Sequence, residues 1–157
     1  MNGTRLKELR KPTEIVDQWP TFLRGLTELN ASNLTHESFV PERFLQELFI
    51  IVGRPVGWGI VALLVSKNGK PIGFVVGHNN SSDPAVKSLL VTALWKRDDC
   101  KTAALDIREG LEAWGRQWKY EEVQILTRKW TGASMRFLKQ KMGFRFRGVR
   151  ALFSRKI

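Results

Sequence analysis

Two periods alternate along the chain. Apolar residues recurring at spacings of three and four mark helices, and apolar runs bounded by glycine, proline or asparagine mark strands. Thr4 to Leu9 suits a short first strand. Glu14 to Leu29 carries Ile15, Trp19, Phe22, Leu23, Leu26 and Leu29 on one side, and Pro20 inside it predicts a kink or a break into two helices. Pro41 to Val52 opens on a proline suited to a first helical turn and directs Phe44, Leu45, Leu48, Phe49 and Val52 inward. Gly53 to Gly59 is a loop by its glycine and proline content.

The middle of the chain reads as strands. Ile60 to Ser66 and Pro71 to His78 flank Lys67-Asn68-Gly69-Lys70, and Asn-Gly between apolar runs signals a hairpin. Asn79 to Pro84 is rich in turn residues, and Val86 to Trp95 is a third strand. After a turn at Arg97 to Thr102, Ala104, Ile107, Leu111, Trp114 and Trp118 form the inner stripe of a helix. Val123 to Thr127 reads as a strand. Thr131 can cap a helix to Met142, with Met135, Leu138 and Met142 inward and Gly143 closing it. Strands at Phe144–Arg147 and Val149–Ser154 follow. The order β-α-α-β-β-β-α-β-α-β-β predicts an α/β (α+β) fold, a mixed sheet with helices packed on it.

The 157 residues are 43% hydrophobic, which fits one domain over 1–157. No apolar run reaches the roughly 20 residues of a membrane span, and the N-terminal sequence lacks the apolar stretch of a secretory signal. One cysteine excludes an internal disulfide and fits a reducing compartment, so the expected location is cytoplasmic, with no membrane partner. Charge changes the picture more. Lys and Arg number 26 against 15 Asp and Glu, a net +11. No acid follows Glu122, and ten basic residues stand from Arg128 to Lys156. Such a block predicts an anionic partner, nucleic acid or an acidic protein, against the plain alternative of a solvated surface.

Candidate chemistry centres on the turn. A strand, a tight turn and a helix N-terminus can hold phosphate oxygens on backbone N–H groups. This turn, however, has no glycine and carries Asp98 and Asp99, which suit a helix's positive end and would occupy the niche of a phosphate. Cys100 as a nucleophile lacks a His or Asp partner pattern, and neighbouring carboxylates would raise its pKa. His78 ends a strand and can reach an acceptor, or is simply a turn residue; His36 has no partner pattern. One cysteine and two distant histidines predict no metal site. Trp58 and Trp130, beside Arg54, Arg128 and Lys129, suit base stacking, a protein contact or a loop anchor.

Over nearly the whole chain the order of elements resembles the GNAT superfamily of acyl-CoA N-acetyltransferases. Pro71-Ile72-Gly73-Phe74-Val75-Val76-Gly77 is similar to the family's hairpin strand, and Ala133 to Phe144, ending in Gly143-Phe144, to its last helix. The resemblance implies a mostly antiparallel sheet, with acetyl-CoA lying along Leu89 to Trp95 and backbone groups there holding the pantetheine. The cofactor-binding residues it implies are Leu90, Val91, Thr92, Leu94, Trp95, Arg97, Cys100, Lys101 and Thr102. Arg97 matches the first position of the pyrophosphate turn, while Cys100 and Thr102 stand where small residues are usual. An amine would attack the thioester directly. Lys139 stands where a tyrosine commonly protonates the leaving thiolate, and Tyr120 matches no catalytic position, so Lys139 and His78 are the catalytic candidates. The expectation is an acetyl-CoA-dependent transferase or acyl-CoA-binding protein acting on an amine. The alternative is a catalytically inactive GNAT-shaped structural or binding part, free to join an oligomer or larger assembly. For it, Arg136-Phe137-Leu138-Lys139 resembles GNAT-like internal virion proteins of short-tailed phages.

Overall fold

Ile60 to Val65 is apolar at every position, the mark of a strand covered on both faces. It lies in β2 (Gly59–Val65). Val61, Leu63 and Val65 enter one apolar cluster, and Ile60, Ala62 and Leu64 enter another. Around β2 stand β1 (Arg5–Glu8), β3 (Pro71–Asn79), β4 (Ser88–Lys96) and β5 (Glu122–Ile125), in the sheet order β1-β2-β3-β4-β5. Successive strands from β1 to β4 pair antiparallel, whereas β4 and β5 run parallel. A parallel pair needs a crossover, supplied by α4 (Ala103–Gln117). On the opposite face lie α1 (Pro12–Asp17), α2 (Trp19–Ser32) and α3 (Pro41–Gly53).

The computed structural model describes residues 3–32, 39–80, 86–97, 99–100 and 103–125. The helix expected from Thr131 to Met142, Gly143, the last two strands, Trp130, His36 and the basic segment from Arg128 to Lys156 lie outside the described residues. Within them the mixed, mostly antiparallel sheet flanked by helices is the expected one. No helix among them is long and apolar enough to cross a membrane.

The start of α1 and the inward residues of α2 and α3 differ from the sequence expectation, while the expected helix break is present. The first helical segment starts earlier, at Pro12, because proline suits the first helical position and Glu14 accepts the Arg10 and Lys11 amides, each at 3.1 Å. The break falls at Gln18, which puts Pro20 in the first turn of α2, where its missing N–H costs nothing. Leu23 faces solvent rather than the core, and in α3 Ile51 is buried with Phe44 and Leu48.

Two bulges interrupt the sheet. Leu64 pairs Gly73 but Val65 pairs Pro71, leaving Ile72 extra in β3. Val76 pairs Ala93 but Gly77 pairs Val91, leaving Thr92 extra in β4. The second reverses which residues face which layer: Leu89 and Val91 pack on the α4 side, Ala93 and Trp95 on the α1–α3 side.

Trp95 then lies directly beneath α2. A Cβ at Gly25 would overlap the Phe74 ring and stand 2.8 Å from Trp95 Cδ2, so only glycine lets the helix approach this closely. Gly25→Ala is expected to destabilise the fold by about 1–3 kcal/mol through overpacking, read as a lower denaturant or thermal midpoint. An unchanged midpoint would show that α2 is not seated on Trp95.

Candidate functional site

The site is built on β4 and the turn behind it. Leu90, half-buried, pairs His78, while Val91 pairs Gly77 on one side and Ile125 on the other. Thr92 is the bulged residue, without a partner in β3. Its hydroxyl donates to Glu47 Oε1 of α3 at 2.9 Å, and the Val76 carbonyl stands at 3.4 Å. Leu94 returns to the α4 side. Trp95 is buried, and its indole N–H donates to Glu28 Oε2 at 2.7 Å, with the Arg24 guanidinium over the ring. Any contact of Trp95 with a ligand would therefore come from its backbone.

The ladder runs one residue past the strand, since the Arg97 amide donates to the Ile72 carbonyl at 2.9 Å. The Arg97 guanidinium then closes on Asp99, with Nε 3.1 Å from Oδ1 and Nη2 2.6 Å from Oδ2. This two-point bond holds the Asp99 carboxyl below the usual carboxylate range. The Cys100 amide donates to the Arg97 carbonyl at 3.1 Å and the Ala103 amide to the Cys100 carbonyl at 3.2 Å, which tightens the turn into α4. Lys101, Thr102 and Asp98 lie outside the described residues.

Asp99, read from sequence as suited to the positive end of the helix, is engaged by the guanidinium two residues back through two directed, charge-assisted bonds. The acid in the first turn of α4 is Asp106, which accepts the Thr4 hydroxyl and so ties α4 to the chain entering β1.

Cys100 is half-buried against the α4-side cluster. Burial first, and the Asp99 carboxylate second, push its thiol up from the ordinary value, so little thiolate is present at neutral pH. That argues against a covalent acyl step at Cys100.

His78 is a strand residue, set opposite Leu90 and close in register to the bulge. Its Nδ1 faces the Asn79 carbonyl at 3.0 Å. A carbonyl only accepts, so Nδ1 carries the hydrogen and Nε2 is left as the basic nitrogen. The imidazole stacks on Trp58 at 5.5 Å between centroids, and Arg54 stands over the same indole at 5.1 Å. Trp58 packs against the α1–α3-side core, so of its earlier readings the loop anchor is the one that fits. Tyr120 also fastens this corner: its hydroxyl donates to the Gly57 carbonyl at 2.7 Å, and burial pushes its phenol up. Lys139, the other catalytic candidate, lies outside the described residues.

Sequence reading missed Glu47 and Glu28, the two carboxylates that helices deliver to β4. Glu47 had a legible signal, since it stands among the inward residues Phe44, Leu48 and Ile51 of an amphipathic helix.

No protein-family model and no curated protein sequence matches the chain significantly. Solved structures do match in fold. The aminoglycoside antibiotic 6'-N-acetyltransferase AAC(6')-Ih from Acinetobacter baumannii superposes with a TM-score of 0.68 at 12% identity, over 98% of this chain and 99% of that one. A possible acetyltransferase from Clostridium difficile 630 gives 0.71 at 7% identity, covering 98% of each chain. AAC(6')-Iy, solved with the bisubstrate analogue CoA-S-monomethyl-acetylneamine, gives 0.67 at 16% identity, again over 98% of each. The chain thus has the acetyltransferase fold that the sequence resemblance implied.

As the single cysteine, Cys100 reports on this turn directly. Alkylation of the native protein at neutral pH is expected to be slower than that of a free thiol, and a few-fold faster in Asp99→Asn, which removes a neighbouring negative charge. Equal rates in the two proteins would disprove the influence of Asp99 on the thiol.

Proposed function

We propose that this chain is an N-acyltransferase that moves an acetyl group from acetyl-CoA to an amine. The observation that carries the reading is the bulge at Thr92, placed in the strand that runs into Arg97, the turn and α4. A bulge leaves its extra residue outside the ladder, so the backbone there is available to a ligand lying along Leu90 to Trp95. Arg97, at the start of the turn, supplies the fork for the pyrophosphate, and the sequence candidates Cys100, Lys101 and Thr102 follow it along the chain. Solved structures of like fold hold CoA or a CoA-linked analogue, which supports acetyl-CoA as the donor.

Acetyl-CoA supplies an activated acyl group as a thioester. The neutral amine nitrogen of the acceptor adds to the thioester carbonyl carbon; the C–S bond breaks with its electron pair on sulfur, and the proton lost from nitrogen balances the thiolate. The chain's part is positioning, which confers rate by holding nitrogen and carbonyl in line. His78 Nε2 is a basic nitrogen near the bulge in register, and Lys139 is the sequence candidate for returning a proton to sulfur.

The fit has one condition. Arg97 must release Asp99 before it can take a phosphate. A solvent-facing ion pair is a weak competitor, whereas a pyrophosphate brings more than one negative charge and several acceptor oxygens to the same fork. Phosphate wins that exchange.

A second reading draws on the same contact. If the clasp stays closed, the fold serves as an inactive binding or structural part, with the basic segment from Arg128 to Lys156 meeting an anionic partner. A melting curve separates the two. Acetyl-CoA at about a hundredfold over its Kd stabilises the native state by about 2.7 kcal/mol, roughly 5–10 °C for a chain of this size. Arg97→Ala is expected to weaken that binding about tenfold or more, and Asp99→Asn to tighten it a few-fold. No shift at millimolar acetyl-CoA would sink the transferase reading.

A further inference from the structure

Glu47 is a half-buried carboxylate on the inward side of α3, beside buried Phe44, Leu48 and Ile51. Its Oε1 accepts the Thr92 hydroxyl at the bulge. Among the described residues no Lys, Arg or His pairs with it, and Oε2 makes no hydrogen bond. Other carboxylates near the sheet are differently placed. Glu28 has Arg24 at 3.6 Å as well as the Trp95 indole, and Glu8 has Arg10 at 3.4 Å as well as the Trp114 indole. Glu47 thus stands without a cation among the described residues, at the point where β4 breaks its ladder.

We infer that Glu47 binds a cationic ammonium of the acceptor other than the neutral nitrogen that takes the acyl group, with Thr92 as the residue that positions it. The inference rests on the proposed reading that the acyl group reaches the bulge. A partly desolvated carboxylate with one oxygen fixed and the other open gains from an ammonium donor, because charge-assisted hydrogen bonds are the stronger kind. The net charge of +11 repels a cationic acceptor at long range, so a local negative charge is needed to seat it. Thr92 does two things at once: its backbone makes the bulge, and its hydroxyl fixes the carboxylate over it. Acceptor and acyl group then meet across one residue.

The test uses the full chain and two amine probes, neamine and spermidine, with binding followed by calorimetry and acetyl-CoA binding measured in parallel. Glu47→Gln is expected to weaken neamine binding about tenfold or more while acetyl-CoA affinity stays within about twofold. Where turnover is measured, the loss falls on KM for the amine rather than on kcat. Thr92→Val, which keeps the charge but frees the carboxylate, is expected to lose a few-fold. Equal amine affinity in the native protein and Glu47→Gln, including no binding by either, overturns the inference. Should Glu47→Gln fail to fold, unchanged neamine affinity in Thr92→Val overturns it alone. Failure of the native protein to bind acetyl-CoA strikes the transferase reading instead, and Glu47-dependent neamine binding still supports the amine site.

Discussion

The bulge at Thr92 is the constraint on which the rest depends. In a regular strand Leu89, Val91, Ala93 and Trp95 would share one face. One extra residue sends the first two toward α4 and the last two toward the α1–α3 layer. A bulge leaves one residue unpaired in the ladder, and a net hydrogen bond is worth about 0.5–1.5 kcal/mol. Burying a large side chain returns about 1.5–3 kcal/mol, so placing Trp95 under α2 outweighs the loss. Gly25 completes the arrangement by letting α2 descend onto Phe74 and Trp95. The irregularity that opens the ladder at Thr92 is therefore also a packing solution.

The same strand organises the acids. In a strongly basic chain the carboxylates of Glu8, Glu28 and Glu47 are each aimed at a donor on an element of the core: the Trp114 indole, the Trp95 indole and the Thr92 hydroxyl. Two of these bonds fasten a strand or helix to an indole deep in the structure, and both acids also have an arginine. The third fastens α3 to the bulge, with no arginine beside it among the described residues. Charge here is laid out by location more than by sign, and the total of +11 says little about what the face around β4 presents.

Much of this architecture was legible in the sequence because it rests on local patterning. The continuous apolar run of β2, the Asn-Gly hairpin and the inner stripe of α4 each point to one structure with no competing one. Pro20 announced the helix break, although the helix begins at Pro12, two residues before the expected Glu14. The site was less legible, for a physical reason. A bulge is a property of pairing between two strands, and nothing in Ser88 to Lys96 alone marks Thr92 as the extra residue. The docking of Glu47 depends on that bulge and on the seating of α3, so it follows from tertiary structure. Asp98 and Asp99 were read from their place before a helix. The partner of Asp99 is set instead by the reach of a guanidinium two residues back.

The turn shows how architecture and activity can be separated within one fold. Phosphate turns gain from glycine because the backbone can then approach the oxygens. Here Cys100 and Thr102 fill the positions where small residues are usual. The Cys100 side chain packs against the α4-side core, and its amide is engaged by the Arg97 carbonyl. Among the described residues of the turn, the Cys100 amide is already engaged, and Arg97 presents a side-chain fork. The Arg97 fork is thus held by an exposed carboxylate, and a solvent-facing pair of this kind can be exchanged for another anion without disturbing the fold.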